Sequence, residues 1–321
     1  MKKILLVTRA TKSNRYSIEK VFKVVSAELS TKHKFTTISI PHPKADLLSI
    51  IRNILFLYRY RNKFDLFHIT GDCHYAVIPF CCKNVVLTIH DIRLFYDYKG
   101  VKKWLYKLIW LTVPILVATK VHFISSQIEK EVCLVFPRTR LNNTVVIHNP
   151  VTIKTGISTK KPEYDLLFVG TKSNKQVGEF IQSLKQPYKI IIIGSRISIQ
   201  ANPGCLIKII EDIDDTELVK IYNKTKVCVL ASNYEGFGLV GLEAQLLSTP
   251  VFARNIPVFK EIYKNSVVYF EDEADPNLEN KLRGLLENKD LRNSKTQEGQ
   301  LNIKDFSVFE TAKRYEELLY N

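Results

Sequence analysis

No apolar run in the sequence reaches the ~18 residues a membrane-spanning helix needs. The opening MKKILLV imitates a signal peptide, but Thr8-Arg9 ends the run early and no small-residue cleavage site follows, so none is expected. Six cysteines (Cys73, Cys81, Cys82, Cys133, Cys205 and Cys228) form no CxxC pair, and a disulfide scaffold would be shorter and richer in Cys. The expectation is reduced thiols in a cytosolic protein. No carboxylate or histidine cluster has metal-ligand spacing, so metal dependence is not expected. A nucleic-acid binder would show a binding motif or interleaved aromatic and basic residues, and neither is visible.

The composition, 45% hydrophobic and 25% charged, is that of a folded chain, and 321 residues suggest two domains. The formal net charge is +15, and it is unevenly placed. Residues 1–150 hold 24 basic and 9 acidic side chains, the whole excess, while residues 151–321 hold 23 of each. A uniformly solubilising surface would not divide this way; the halves are expected to meet different partners.

Short apolar runs alternate with segments of helical period, the pattern of βα units and parallel sheets. Strands are expected at 3–8, 35–40, 66–70, 85–89, 121–124 and 144–147, then at 166–169, 189–193, 206–209, 227–230, 250–253 and 267–270. Most do not alternate, as strands buried on both faces should not. Leu47, Leu48, Ile51, Ile54, Leu55 and Tyr58 fall on one helical face. Residues 155–161 read as a polar linker, 290–299 as loose chain, and 308–320 as an amphipathic helix. Two doubly wound domains in tandem follow, with ligands at the carboxyl ends of the strands.

The densest chemistry lies in Ser232-Asn-Tyr-Glu-Gly-Phe-Gly-Leu-Val-Gly-Leu-Glu243, between an apolar strand and a helical segment. Glu235 and Glu243 can face one site, and each carboxylate can accept two hydrogen bonds from vicinal hydroxyls of a sugar or ribose. Gly236 and Gly238 permit close backbone approach, and the amides of Gly238 and Leu239 open a helix N-terminus suited to phosphate. By spacing alone the segment reads equally well as a Gly-rich turn with a solvated glutamate at each end.

In the form EGFGLxxLEA this segment resembles the donor-site signature of glycosyltransferase family 4, retaining enzymes of the GT-B fold. The similarity extends through Phe64-Asp-Leu-Phe-His68, Leu87-Thr-Ile-His-Asp91, Ser125-Ser126, Val146-Ile-His-Asn-Pro-Val151, Leu167-Phe-Val-Gly170 and Thr249-Pro-Val-Phe-Ala253. It implies two Rossmann-like α/β domains facing a central cleft: 1–152 for the acceptor, 153–302 for the nucleotide-sugar, and a helix in 303–321 crossing back to the first. It further implies that Glu235 contacts the donor sugar, Glu243 the ribose, and the backbone of Gly238 and Leu239 the distal phosphate. Lys175, in the segment opened by Gly170, would neutralise the leaving diphosphate. His90 would lie beside donor sugar and acceptor, with Asp91 orienting its ring or capping the next helix.

The sequence departs from the family in three places, the smallest being Ser248 where a glycine is usual before Thr249-Pro250. Thr171 and Lys172 stand where an arginine is usual, and a lysine offers no bidentate fork. Thr11-Lys-Ser-Asn-Arg15 replaces a Gly-rich loop, leaving Arg15 to reach the diphosphate. The implied reaction is retaining transfer from a UDP- or GDP-linked sugar to a carbohydrate or lipid-linked acceptor, with no further cofactor, in bacterial surface polysaccharide or lipopolysaccharide synthesis. A catalytically degenerate partner subunit is the alternative that the departures allow, and a nucleic-acid binder using the basic half is a second. Asp212-Ile-Asp214 resembles the metal motif of another transferase fold, but it reads as a helix cap. Residues 104–118, interrupted by Pro114 and flanked by lysines, read as a buried helix or as one lying on a membrane. With the basic half, they suggest peripheral contact with the anionic inner face of the cytoplasmic membrane, and no nucleic-acid partner.

Overall fold

The computed structural model describes residues 1–10, 17–136, 141, 143–154 and 161–320. The chain forms two compact units, Met1–Pro150 with Ser307–Asn321, and Val151–Phe306. Arg15 and most of the 155–161 segment lie outside the described residues.

The first unit is built on β1 (Lys3–Thr8), β2 (Lys34–Ser39), β3 (Leu66–Ile69), β4 (Val85–Ile89), β5 (Lys120–Phe123) and β6 (Thr144–Val146), in the order β2-β1-β3-β4-β5-β6. The second uses β7 (Tyr164–Val169), β8 (Lys189–Ile193), β9 (Leu206–Ile210), β10 (Thr225–Leu230), β11 (Val251–Arg254) and β12 (Val268–Phe270), ordered β12-β11-β10-β7-β8-β9. Every pairing is parallel. Helices cover the central strands on both faces, which is why β4, Val-Val-Leu-Thr-Ile, is wholly buried and does not alternate.

In a doubly wound sheet the connections run to opposite faces on either side of the point where the strand order reverses, leaving a crevice at the carboxyl ends there. That point falls between β1 and β3 in the first unit and between β7 and β10 in the second.

The segment expected to be loose is a helix, Lys289–Asn302. It is polar on nearly every side, so no apolar stripe announces it; it is held by amide side chains instead. Asn288 caps it by accepting from the Asp290 and Leu291 amides at 2.9 and 3.0 Å, and Asn302 Nδ2 donates to Gln245 Oε1 at 3.0 Å. The apolar face of Leu47–Tyr58 also differs from a core-facing stripe. Ser49, Ile50, Asn53 and Leu57 are buried, while Leu47, Leu48, Ile51, Leu55 and Tyr58 face outward.

In residues 104–118, Tyr106, Leu111, Pro114 and Ile115 are buried, Trp104, Leu105 and Leu116 are exposed, and the rest are half-buried. The helix Gly100–Tyr106 passes through a π-turn, Lys107–Thr112, into Val113–Val117. Pro114 has no N–H to offer the carbonyl of Trp110, one α-turn back. His74 Nδ1 donates to that carbonyl at 2.6 Å instead. The terminal helix Val308–Tyr315 packs on Ser17–Glu28, and Tyr315 and Tyr320 are fully buried in the first unit.

Candidate functional site

The crevice between β7 and β10 is formed by the segments leaving those two strands. After β7, Gly170 has φ +92°, open to glycine at little cost, and the side chain of Lys175 lies across it; a Cβ on Gly170 would meet Lys175 Cε at 3.2 Å. The 3-10 turn Ser173–Lys175 carries Asn174 and Lys175 toward the loop that follows β10. There, Lys175 Nζ sits 2.8 Å from Glu235 Oε1. Ser232 Oγ donates to the same oxygen at 2.8 Å, and Asn174 Nδ2 at 3.4 Å. Asn174 also pins the loop backbone: its Nδ2 donates to the Tyr234 carbonyl at 2.9 Å and its own carbonyl accepts from the Asn233 amide at 3.0 Å. Asn174 Oδ1 is buried without a partner among the described residues, an acceptor left to a ligand or water.

Gly238, at φ +109°, begins the helix Leu239–Leu246. The left-handed turn favours glycine, and space requires it: a Cβ would come within 2.9 Å of Phe259 and closer still to the Tyr263 hydroxyl, which donates to the Gly238 carbonyl. Gly241 is enclosed by the same tyrosine, a Cβ there meeting Tyr263 Cζ at 2.5 Å. Leu239 stands at the first position of the helix, where amides have no intrahelical acceptor. Glu243 follows one turn on and accepts from the hydroxyl of fully buried Tyr222 at 3.1 Å. Burial and the Glu243 charge push the Tyr222 hydroxyl well above its ordinary pKa, so it remains a donor. Lys172 is exposed on the rim of a cavity of about 390 Å³, shared with Thr171, Gln176, Ile197 and Ser198.

Gly170, Lys175 and Glu235 thus meet at one crevice, and Gly238, Leu239 and Glu243 line the same loop and helix. Sequence reasoning did not anticipate Asn174, Ser232, Tyr222 or Arg254. Arg254, at the end of β11, donates from Nε to the Ala231 carbonyl at 2.9 Å and pairs with Glu273, bracing the start of the loop. Ser232 and Asn174 adjoin the motif in sequence; Tyr222 and Arg254 give no local signal.

His90 follows β4 in the first unit. Its Nε2 donates to the Thr70 carbonyl at 2.8 Å, which fixes the tautomer and leaves Nδ1 as the acceptor nitrogen. Burial lowers its pKa to about 4, so the ring is neutral at neutral pH. The Thr70 carbonyl therefore orients the ring, and Asp91 accepts from the Arg93 amide at 3.1 Å at the start of the next helix. At the first unit's reversal point, Gly71 lets β3 leave beside Arg9: a Cβ would fall 2.6 Å from the Arg9 nitrogen. Asp214 caps Asp215–Asn223 by accepting from the Glu217 amide at 2.8 Å, the role its spacing suggested.

Two tandem parallel α/β units, the second with carboxylates and a lysine at its reversal point, define a doubly wound two-unit protein. Residues 152–301 match the model for glycosyl transferases group 1. It is 26% identical over 216 residues to the O-antigen chain mannosyltransferase RfbU of Salmonella typhimurium, covering 63% of this chain and 61% of the relative. It is 25% identical over 284 residues to the O-antigen biosynthesis glycosyltransferase WclY of Escherichia coli, covering 76% and 78%. Anabaena HepE, solved with UDP and glucose, shares the fold over 100% of both chains at a TM-score of 0.78 and 14% identity. The lipopolysaccharide outer core galactosyltransferase WaaB superposes at 0.66 and 13% identity over 99% of each chain. The architecture is the GT-B fold.

Proposed function

We propose that the chain is a retaining glycosyltransferase that moves a sugar from a UDP- or GDP-linked donor on the second unit to a carbohydrate or lipid-linked acceptor. Its pathway is the assembly of a bacterial surface polysaccharide, the setting named for RfbU and WclY. The observation that carries the reading is the Lys175–Glu235 pair at the β7/β10 reversal point, a cation and a carboxylate side by side where a doubly wound unit binds its ligand.

The division of labour follows from charge. As the bond between the anomeric carbon and the phosphate oxygen breaks, negative charge grows on the departing diphosphate, and Lys175 meets it together with the amides of Gly238 and Leu239. Glu235 holds Lys175 through Oε1 and offers Oε2 to donor hydroxyls. Glu243, steadied by Tyr222, accepts from the ribose diol. The acceptor hydroxyl bonds to the anomeric carbon on the face the diphosphate leaves, and a phosphate oxygen takes its proton. The glutamates are not a hydrolase acid–nucleophile pair, since Glu235 is committed to a lysine. Neutral His90 can accept or position an acceptor hydroxyl through Nδ1. With Lys175 supplying the countercharge, transfer is expected to need no divalent metal.

The test is nucleoside diphosphate release from UDP- and GDP-sugars with a lipid-linked acceptor, with and without EDTA. Wild-type turnover that survives EDTA and is lost in Lys175→Ala supports the reading. Equal rates in wild type and variant would remove the site.

A further inference from the structure

We infer that one face of the first unit, carried by the helix Leu47–Tyr58 and the Gly100–Val117 helical segment, docks on an anionic lipid bilayer. The inference goes beyond sugar transfer and does not depend on it.

Two observations coincide on this unit. The first is apolar exposure. A helix with a single charged residue in twelve, Arg52, would ordinarily be enclosed on all sides. Here Leu47 is 69% exposed and Leu55 65%, and with Leu48, Ile51 and Tyr58 they span about 100° of the helix. Val101, Trp104 (61% exposed), Leu105 and Leu116 stand out from the second segment. The two segments share one layer: Asn53 Nδ2 donates to the Tyr75 hydroxyl at 2.8 Å, and the Tyr75 ring lies 5.2 Å from that of Trp110. Among the described residues of the second unit only Leu206 and Leu301 are large, apolar and comparably exposed. An apolar patch of this kind on one half of a chain marks a contact surface.

The second observation is charge. The whole +15 lies in residues 1–150, and basic side chains border both segments. Arg52 and Arg59 flank the first stripe, and Lys99 and Lys102 are exposed beside the second. Lys103 lies 4.2 Å over the Phe95 ring. Of the acidic groups near the two segments, Asp46 accepts from the Ser49 amide and Asp97 pairs with Arg93 at 3.3 Å, while the charges of Asp72 and Asp91 reach Tyr106. Exposed Leu, Ile, Trp and Tyr ringed by Arg and Lys fit the headgroup boundary of an anionic bilayer. No described helix is long and apolar enough to cross it, so the contact lies in the membrane plane.

The experiment is co-sedimentation of the full chain, without donor, with vesicles of phosphatidylglycerol and phosphatidylethanolamine or of phosphatidylcholine alone. Binding to the anionic vesicles that weakens with salt is expected. Ile51→Glu, Leu55→Glu and Trp104→Glu, at outward positions, should each cut partitioning about tenfold or more, and Arg52→Gln and Arg59→Gln about fivefold each. Leu206→Glu should leave it unchanged, and melting temperatures should match wild type throughout. Binding indifferent to the patch variants or to anionic lipid would overturn the inference. So would a dimer that Ile51→Glu dissociates, formed by a chain that ignores vesicles, since a second copy would then be the occupant.

Discussion

Lys175 Nζ lies 2.8 Å from Glu235 Oε1, with side chains only 20% and 16% exposed. The two residues leave different strands, β7 and β10, and meet only because those strands are neighbours at the reversal point. Removing either partner alters the other. Lys175→Ala should lower kcat/KM about 10²–10³-fold, as loss of one charge-stabilising donor does. Glu235→Gln should cost about ten- to a hundredfold, since the Lys175 contact and the donor hydroxyl bonds lose their charge assistance. Steady-state kinetics with saturating acceptor measures both; losses under threefold would contradict the assignment.

Gly238→Ala should destabilise the chain by about 2–4 kcal/mol, combining left-handed backbone strain with overpacking against Phe259 and Tyr263. Urea unfolding monitored by circular dichroism gives the value. Wild-type stability would mean that the turn relaxes without cost.

Tyr222→Phe removes the hydroxyl that holds Glu243 at 3.1 Å and also donates to the Val240 carbonyl at 3.2 Å. The donor KM should rise about five- to tenfold while kcat changes little, the signature of an interaction equal in ground and transition states. A fall in kcat at constant KM would instead place Glu243 in the chemical step.

Three buried histidines predict a pH dependence of stability. Burial lowers His90 to about 4 and His122 to about 3, and holds His68 well below 6.5. His68 and His122 are joined through Thr88 Oγ1, at 2.7 and 2.9 Å, and His68 reaches the Tyr320 hydroxyl at 2.8 Å. The unfolded chain takes up protons below about pH 6.5 while the folded chain refuses them. Their contribution is therefore complete above that value and lost as pH falls, levelling for His90 only near 4. The slope is about 1.4 kcal/mol per pH unit for each histidine. Urea unfolding at pH 7 and pH 5 should show the drop; equal stabilities would show the rings protonated in the fold.

The strands were legible because parallel strands buried on two faces leave continuous apolar runs, as in Val85–Ile89 and Lys189–Ile193. The Glu235–Glu243 loop was legible because its glycines and carboxylates are close in sequence. The helix Lys289–Asn302 was not, because amide hydrogen bonds rather than an apolar stripe hold it. The outward face of Leu47–Tyr58 was hidden for the opposite reason: an apolar stripe does not say whether it faces core or solvent. Tyr222 and Arg254 reach the site from other elements of the unit, at separations no local pattern records. The exchange of a proline-orphaned carbonyl at Trp110 for a bond from His74 is likewise long-range.

The central claim is that the second unit binds a nucleotide-sugar through Lys175 and Glu235. Its most direct test is thermal unfolding of the full chain with UDP, GDP and their sugar conjugates, beside the Lys175→Ala variant. One base should stabilise the wild type, by about 2.7 kcal/mol at 100 times its Kd, and much less in the variant. A wild-type chain whose melting temperature no nucleotide or nucleotide-sugar moves would contradict the account.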